Sequence, residues 1–213
     1  MGTIIDFIIH IDKHLIEIIN NYGSITYLIL FLIIFCETGL VIMPILPGDS
    51  LLFVCGALAA LKALNILVIF FVLFLAAILG DACNYAIGKY LGHRLLSNDK
   101  SRFIKKEHIL KTKTFFEKHG PKTIVLARFV PIVRTFAPFL AGSGDMKYVK
   151  FFSYNVIGAF FWVSIFVFGG YFFGNIPIIK NNLTFLGLGI VIISLLPIII
   201  IQIKNKLNKT ENS

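Results

Sequence analysis

Apolar residues come in runs along this chain, and the lengths and interruptions of those runs predict its elements. Over 4–21, Ile4, Ile5, Phe7, Ile8, Ile11, Leu15, Ile16, Ile18 and Ile19 share one broad helical face. Asp6, His10, Lys13, His14, Glu17, Asn20 and Asn21 fall opposite, and Asp12 is out of register. This reads as an amphipathic helix lying on a bilayer. It does not read as a signal peptide, because it lacks a basic leading segment and charges interrupt it. Two short apolar runs follow, 25–36 and 51–61. Each is about half of the roughly 20 residues that a spanning helix needs. Between them stand Glu37, Gly39, Pro44, Pro47, Gly48 and Asp49, and the prolines and glycines break any helix there. The pattern predicts a re-entrant helix–break–helix over 25–61, followed by a full span over 63–92. Gly80, Gly88 and Gly92 share one face of that span and suit close helix contact. A basic stretch, 93–122, holds a helix over 101–118 that ends at His119, Gly120 and Pro121. The next run, 123–143, is apolar but contains Arg128, Pro131, Arg134, Pro138 and Gly142. It reads as a second broken pair, with Pro131 and Pro138 as helix breaks. Full spans over 148–173 and 183–203 and a tail over 204–213 complete the chain.

The expected fold is therefore an all-α polytopic membrane protein, with a single membrane domain over 1–213. Its first half (1–92) and second half (93–173) each run through a surface helix, a broken hairpin and a long span. That order suggests an inverted repeat with two facing re-entrant hairpins plus about three full transmembrane helices. Paired interrupted segments in two inverted halves are the sequence pointer to a central transport site.

Composition agrees. Of 213 residues, 57% are apolar and 15% charged, against about 25% charged in soluble domains. The net charge of +9 is unevenly spread. Residues 1–88 sum to −4, whereas 89–122 sum to +7. By the positive-inside rule the 93–122 segment and the C-terminus are expected in the cytoplasm. The weakly acidic 1–24 is then expected outside. No aromatic platform is interleaved with the basic segment, so no nucleic acid is expected as a partner. Cys36, Cys55 and Cys83 form no C-x-x-C and read as small buried hydrophobes. His10 and His14 stand four apart without a third ligand, so they read as a solvated face and no metal or other cofactor is expected.

Four charges stand in the broken segments: Glu37, Asp49, Arg128 and Arg134. A charge at the centre of a spanning helix costs about 2.5–3.5 kcal/mol, so four unpaired ones would cost roughly 10 kcal/mol. They are expected to face one another, a substrate or water. Internal salt bridges joining two hairpins are the plain alternative. Guanidinium stays charged and recognises phosphate bidentately, so Arg128 and Arg134 are candidates for holding an anionic headgroup. Glu37 and Asp49 are candidates for proton coupling or gating, by taking up protons or by competing for the arginines. Asp81 and Asn155 are weaker candidates for lining the site. Trp162, seven residues from Asn155, reads as core packing.

These residues resemble the DedA family, also called the SNARE-associated Golgi or VTT-domain family. The likeness is carried by Glu37-Thr38-Gly39, Pro44-x-x-Pro47-Gly48-Asp49 and Gly56-Ala57-Leu58. It continues through Gly80-Asp81, Tyr85, Gly88 and Gly92 to Ala127-Arg128-Phe129-x-Pro131-x-Val133-Arg134. It ends in Pro138, Ala141-Gly142, Met146, Asn155, Gly158-Ala159 and Trp162. The resemblance covers about residues 30–175. It implies a bacterial cytoplasmic membrane protein in which Glu37, Asp49, Arg128 and Arg134 matter for function. It also implies a link to recycling of undecaprenyl phosphate, to phospholipid movement, or to proton-dependent drug and pH tolerance.

The leading expectation is a lipid-phosphate translocase, with an anionic lipid (undecaprenyl phosphate or a phospholipid) and protons as partners. The alternatives are a phospholipid scramblase or a proton-coupled small-molecule or ion transporter involved in membrane homeostasis. An enzyme is not expected. A membrane phosphatase would need a His as nucleophile or base beside a phosphate cradle. No His lies within 123–203. The oligomeric state is open, a homo-oligomer included.

Overall fold

In a computed structural model, residues 21–40, 48–97, 116–144 and 146–174 are described, with isolated positions Leu15, Glu17, Ile19 and Thr114. Pro44, Pro47, most of the expected surface helix, the expected span 183–203 and the tail lie outside the described residues. Every regular element among the described residues is helical. We number the longer ones α1 (Ile25–Gly39), α2 (Gly48–Ala60), α3 (Ile66–Ser97), α4 (Thr123–Ala127), α5 (Pro131–Ser143) and α6 (Tyr148–Gly174). A 3-10 turn, Gly120–Lys122, precedes α4.

Local chemistry explains the boundaries. α1 and α2 have 15 and 13 residues, too short to cross a bilayer at 1.5 Å per residue. α2 closes in a Schellman turn: Lys62 donates to the Ala59 carbonyl and Ala63 to the Leu58 carbonyl. Lys62 takes the left-handed conformation (φ 62°) that this turn requires. Asn65 then caps α3, its Oδ1 accepting from the amides of Leu67 (3.0 Å) and Val68 (3.2 Å). Pro131 opens α5, where its missing N–H leaves no partner wanting.

One expectation is corrected here. Pro138 is not a helix break, because it lies inside α5. The break is confined to 128–130, between α4 and α5. A proline interior to a helix removes one hydrogen bond to the preceding turn, and the surrounding packing holds α5 continuous across it. Pro138 is flanked by Ala137 and Phe139, both fully buried.

The helices are exchanged between halves. α1 packs on α3, the long helix of its own half, but α2 packs on α6, the long helix of the other. The second half repeats this: α4 packs on α6, whereas α5 packs on α3. The two exchanged crossings are built alike. On α2 and α6, a Cβ at Gly56 would lie 2.0 Å from the Val167 carbonyl oxygen, and one at Gly170 would lie 2.0 Å from that of Phe53. On α3 and α5, a Cβ at Gly88 would lie 2.1 Å from the Phe139 carbonyl oxygen, and one at Gly142 would lie 2.1 Å from that of Tyr85. In each pair, a glycine sits against the carbonyl three residues before its partner glycine. Bare α-carbons let the backbones touch, as at close membrane-helix crossings.

Polarity is inverted relative to a soluble fold. Leu67, Phe71, Leu75 and Leu79 recur every fourth residue of α3 and are exposed, as are Phe160, Phe161 and Phe172 of α6. Glu37, Asp81, Asn84, Arg128 and Asn155 are at most 2% exposed. Water as solvent would favour the opposite arrangement. α3 and α6 are each long and apolar enough to cross a membrane, over Ile66–Leu91 and Tyr148–Phe173.

Candidate functional site

The two helix breaks place their charges together in the interior. Glu37 lies two residues before the end of α1, and Asp49 is the second residue of α2. Arg128 follows α4 directly, and Arg134 is the fourth residue of α5. α3 brings Asp81 and Asn84, and α6 brings Asn155 and Trp162.

Arg134 ties the second break to both arms of the first. Its Nη2 donates to Glu37 Oε1 on α1, and its Nη1 donates to Asp49 Oδ1 on α2 at 3.0 Å. The Glu37 carboxylate lies over the start of α2, where a Cβ on Gly48 would fall 2.5 Å from Oε2. Gly48 therefore marks where a carboxylate meets a helix N-terminus, a favourable place for negative charge. Arg128 forms a second cluster. Its Nη2 donates to Asp81 Oδ2 and to Asn155 Oδ1, both at 2.6 Å. Asn155 is oriented by its own donation to the Ile78 carbonyl at 3.0 Å.

Trp162 joins the clusters. Its indole N–H donates to Asp49 Oδ1 at 2.8 Å, the oxygen that also accepts from Arg134. Its ring lies 5.7 Å from the Arg128 guanidinium carbon and 5.3 Å from that of Arg134. Both distances suit cation–π attraction. Trp162 is fully buried, as core packing required, but it is also part of the charged site. Asn84 spans the breaks as well, donating to the Thr38 carbonyl at 3.2 Å and the Thr135 carbonyl at 2.9 Å.

The structure thus brings Glu37, Asp49, Arg128 and Arg134 together and adds Asp81, Asn84, Asn155 and Trp162. Three carboxylates meet two guanidiniums, which leaves one formal negative charge when all are ionised. Asp49 and Arg134 are the least buried members, with 13% and 8% of their side chains exposed. Several buried polar atoms have no hydrogen-bond partner among the described residues: Glu37 Oε2, Asp81 Oδ1, Arg128 Nε and Nη1, and Arg134 Nε. Among the described residues, no three His, Cys, Asp or Glu side chains are grouped to hold a metal ion.

Residues 46–172 match the model of the VTT domain. Protein DedA of Escherichia coli (strain K12) is 56% identical over 205 residues, 95% of this chain and 94% of its own length. The chain belongs to the DedA family. An uncharacterized membrane protein of Mycobacterium tuberculosis (strain ATCC 25618 / H37Rv) is 41% identical over 84% of this DedA-family chain and 79% of the relative. Inner membrane protein YghB of Escherichia coli (strain K12) is 30% identical over 83% of this chain and 78% of the relative. No solved structure matches. The DedA-family chain is a helical membrane protein, in keeping with its inverted polarity.

Trp162 and Asn84 carry more of the site than their sequence context suggests. Asn84 had a signal: with Asp81 it makes a polar pair three residues apart, one helical turn, inside an apolar run. Trp162 had none, since a tryptophan in a phenylalanine-rich helix is ordinary packing.

Proposed function

We propose that this protein is a lipid-phosphate translocase of the bacterial cytoplasmic membrane. The supporting observation is a pair of buried guanidiniums, each bonded to carboxylates, where two interrupted helices meet. Such a site suits an anion that enters as a carboxylate leaves. Guanidinium offers a fixed fork of donors to phosphate, and protonation of a displaced carboxylate cancels the charge the anion brings. Proton coupling through Glu37 and Asp49 follows from that exchange, with Asp49 nearest to water. α1–α2 and α4–α5 act as facing re-entrant hairpins that carry the headgroup between leaflets while the tail stays in lipid. α3 and α6 are full spans, with the basic 93–122 segment and the C-terminus on the cytoplasmic side.

The DedA likeness makes undecaprenyl phosphate the preferred cargo. The reading is transport rather than catalysis, since no histidine stands among the clustered side chains to act as nucleophile or base beside the guanidiniums. The net negative charge of the cluster favours a second reading, proton-coupled transport of a small solute.

Proteoliposomes carrying undecaprenyl phosphate or a labelled phospholipid separate the cases. The expected result is leaflet transfer of undecaprenyl phosphate that responds to a pH gradient and falls in Arg128→Ala and Arg134→Ala. Unchanged transfer in both variants sinks the arginine site. Phospholipid transfer without a pH response marks a scramblase instead.

A further inference from the structure

We propose that the two arginines divide the work: Arg128 receives the phosphate, and Arg134 is the latch that holds the two hairpins together. This rests on the reading that the site binds phosphate. The partners decide the division. Arg134 has a carboxylate on each of its two terminal nitrogens, one from α1 and one from α2. Of its nitrogens, Nε alone lacks a partner among the described residues. An anion arriving there meets two like charges and must undo the link between hairpins.

Arg128 is built differently. Asp81 and Asn155 both bind a single nitrogen, Nη2, which also lies 3.5 Å from the Ala77 carbonyl. Nε and Nη1, with three N–H groups between them, have no acceptor among the described residues, although the residue is only 2% exposed. Buried donors of a charged group are seldom left unmet without a reason. The Asp81–Arg128 cluster is also formally neutral, whereas Glu37–Arg134–Asp49 carries one negative charge. Gly158 faces the same edge, where a Cβ would come within 3.2 Å of Arg128 Nε. Its bare α-carbon lets the helix pack against that edge without crowding the nitrogen. Asp81 and Asn155 are therefore positioning residues, which hold Arg128 by one corner and leave the rest of its donors for ligand. The ligand chemistry is a terminal phosphate, borne by a lipid or free.

The test uses the full chain in detergent, with calorimetric titration of a ten-carbon prenyl phosphate and of inorganic phosphate. Arg128→Lys is expected to weaken binding of the prenyl phosphate by about tenfold or more, because an ammonium cannot replace the guanidinium fork. Arg134→Lys is expected to weaken it less, by about threefold, since the terminal nitrogens of Arg134 are already taken by Glu37 and Asp49. Equal losses in both variants, or a loss confined to Arg134→Lys, overturn the division while leaving phosphate binding standing. No binding of either probe by the unaltered protein overturns the underlying reading as well. Inorganic phosphate binding as well as the prenyl phosphate assigns the seat to free phosphate; weaker binding assigns it to a lipid headgroup. A measurement on unaltered protein guards against misfolded variants. The chain has four arginines, so guanidinium nitrogen signals from labelled protein are few. The prenyl phosphate is expected to shift the Arg128 Nε signal and not that of Arg134, and the reverse overturns the assignment.

Discussion

Gly88→Ala should destabilise the protein although alanine is the better helix former. The new Cβ would lie 2.1 Å from the Phe139 carbonyl oxygen. A carbon–oxygen contact settles at about 3.3 Å, so α3 and α5 must part by about 1.2 Å. The obstacle is backbone and cannot rotate away. Overpacking costs about 1–3 kcal/mol, and a rigid obstacle puts this case at the upper end. Alanine recovers up to about 1 kcal/mol of helix propensity, so the net loss is about 2 kcal/mol. Gly142→Ala and its counterparts at the other crossing, Gly56→Ala and Gly170→Ala, should lose similar amounts. The control is the neighbour of Gly170: a Cβ at Gly169 would meet only the Phe53 ring, at 3.7 Å, an ordinary contact. Gly169→Ala should therefore be neutral or gain about 0.5–1 kcal/mol. Equilibrium unfolding by dodecyl sulfate in mixed micelles measures all five. Coupling is the sharper readout. Once Gly88→Ala has opened its crossing, Gly142→Ala should cost little more, whereas Gly88→Ala and Gly56→Ala should add. Additive losses at Gly88 and Gly142, or equal losses at Gly169 and Gly170, would refute the crossing geometry.

The same unfolding measurement checks three further expectations. Trp162→Phe removes a hydrogen bond to a carboxylate and should lose about 1.5–3 kcal/mol; Trp162→Leu, which also removes the ring beside both guanidiniums, should lose about 1–2 kcal/mol more. A phenylalanine variant as stable as the native protein would show that the Asp49 contact is immaterial. Asn84→Leu takes the shared donor from the Thr38 and Thr135 carbonyls and should lose about 2 kcal/mol, and no loss would mean that Asn84 does not tie the breaks. Lys62→Gly relieves a left-handed residue and should gain about 1 kcal/mol, while Lys62→Ala should gain nothing.

The sequence shows the helices and the charged breaks because both are local signals. A charge in an apolar run is costly anywhere along the chain, so Glu37 and Arg128 stand out without a fold. Runs too short to span reveal α1 and α2 by length alone. Pro138 misled because a proline reports a missing hydrogen bond but not whether neighbours hold the helix together. The exchange of α2 and α5 between halves is a pairing across long separations, which no local pattern encodes. Asp81 illustrates the difference. Its weight depends on Arg128, 47 positions away, which only the fold brings to 2.6 Å.

The exchanged arms also bear on biogenesis. Asp49 and its indole partner are separated by 113 positions. Synthesis at about 5–20 residues per second leaves Asp49 waiting roughly 6–23 seconds for Trp162 of α6 to emerge. Throughout that interval α2 has its crossing glycine uncovered and Asp49 without Trp162, and Arg134, 85 positions on, arrives only late in it. Neither half can finish alone, so the insertion machinery must shelter a charged half-helix until the last third of the described chain has been made.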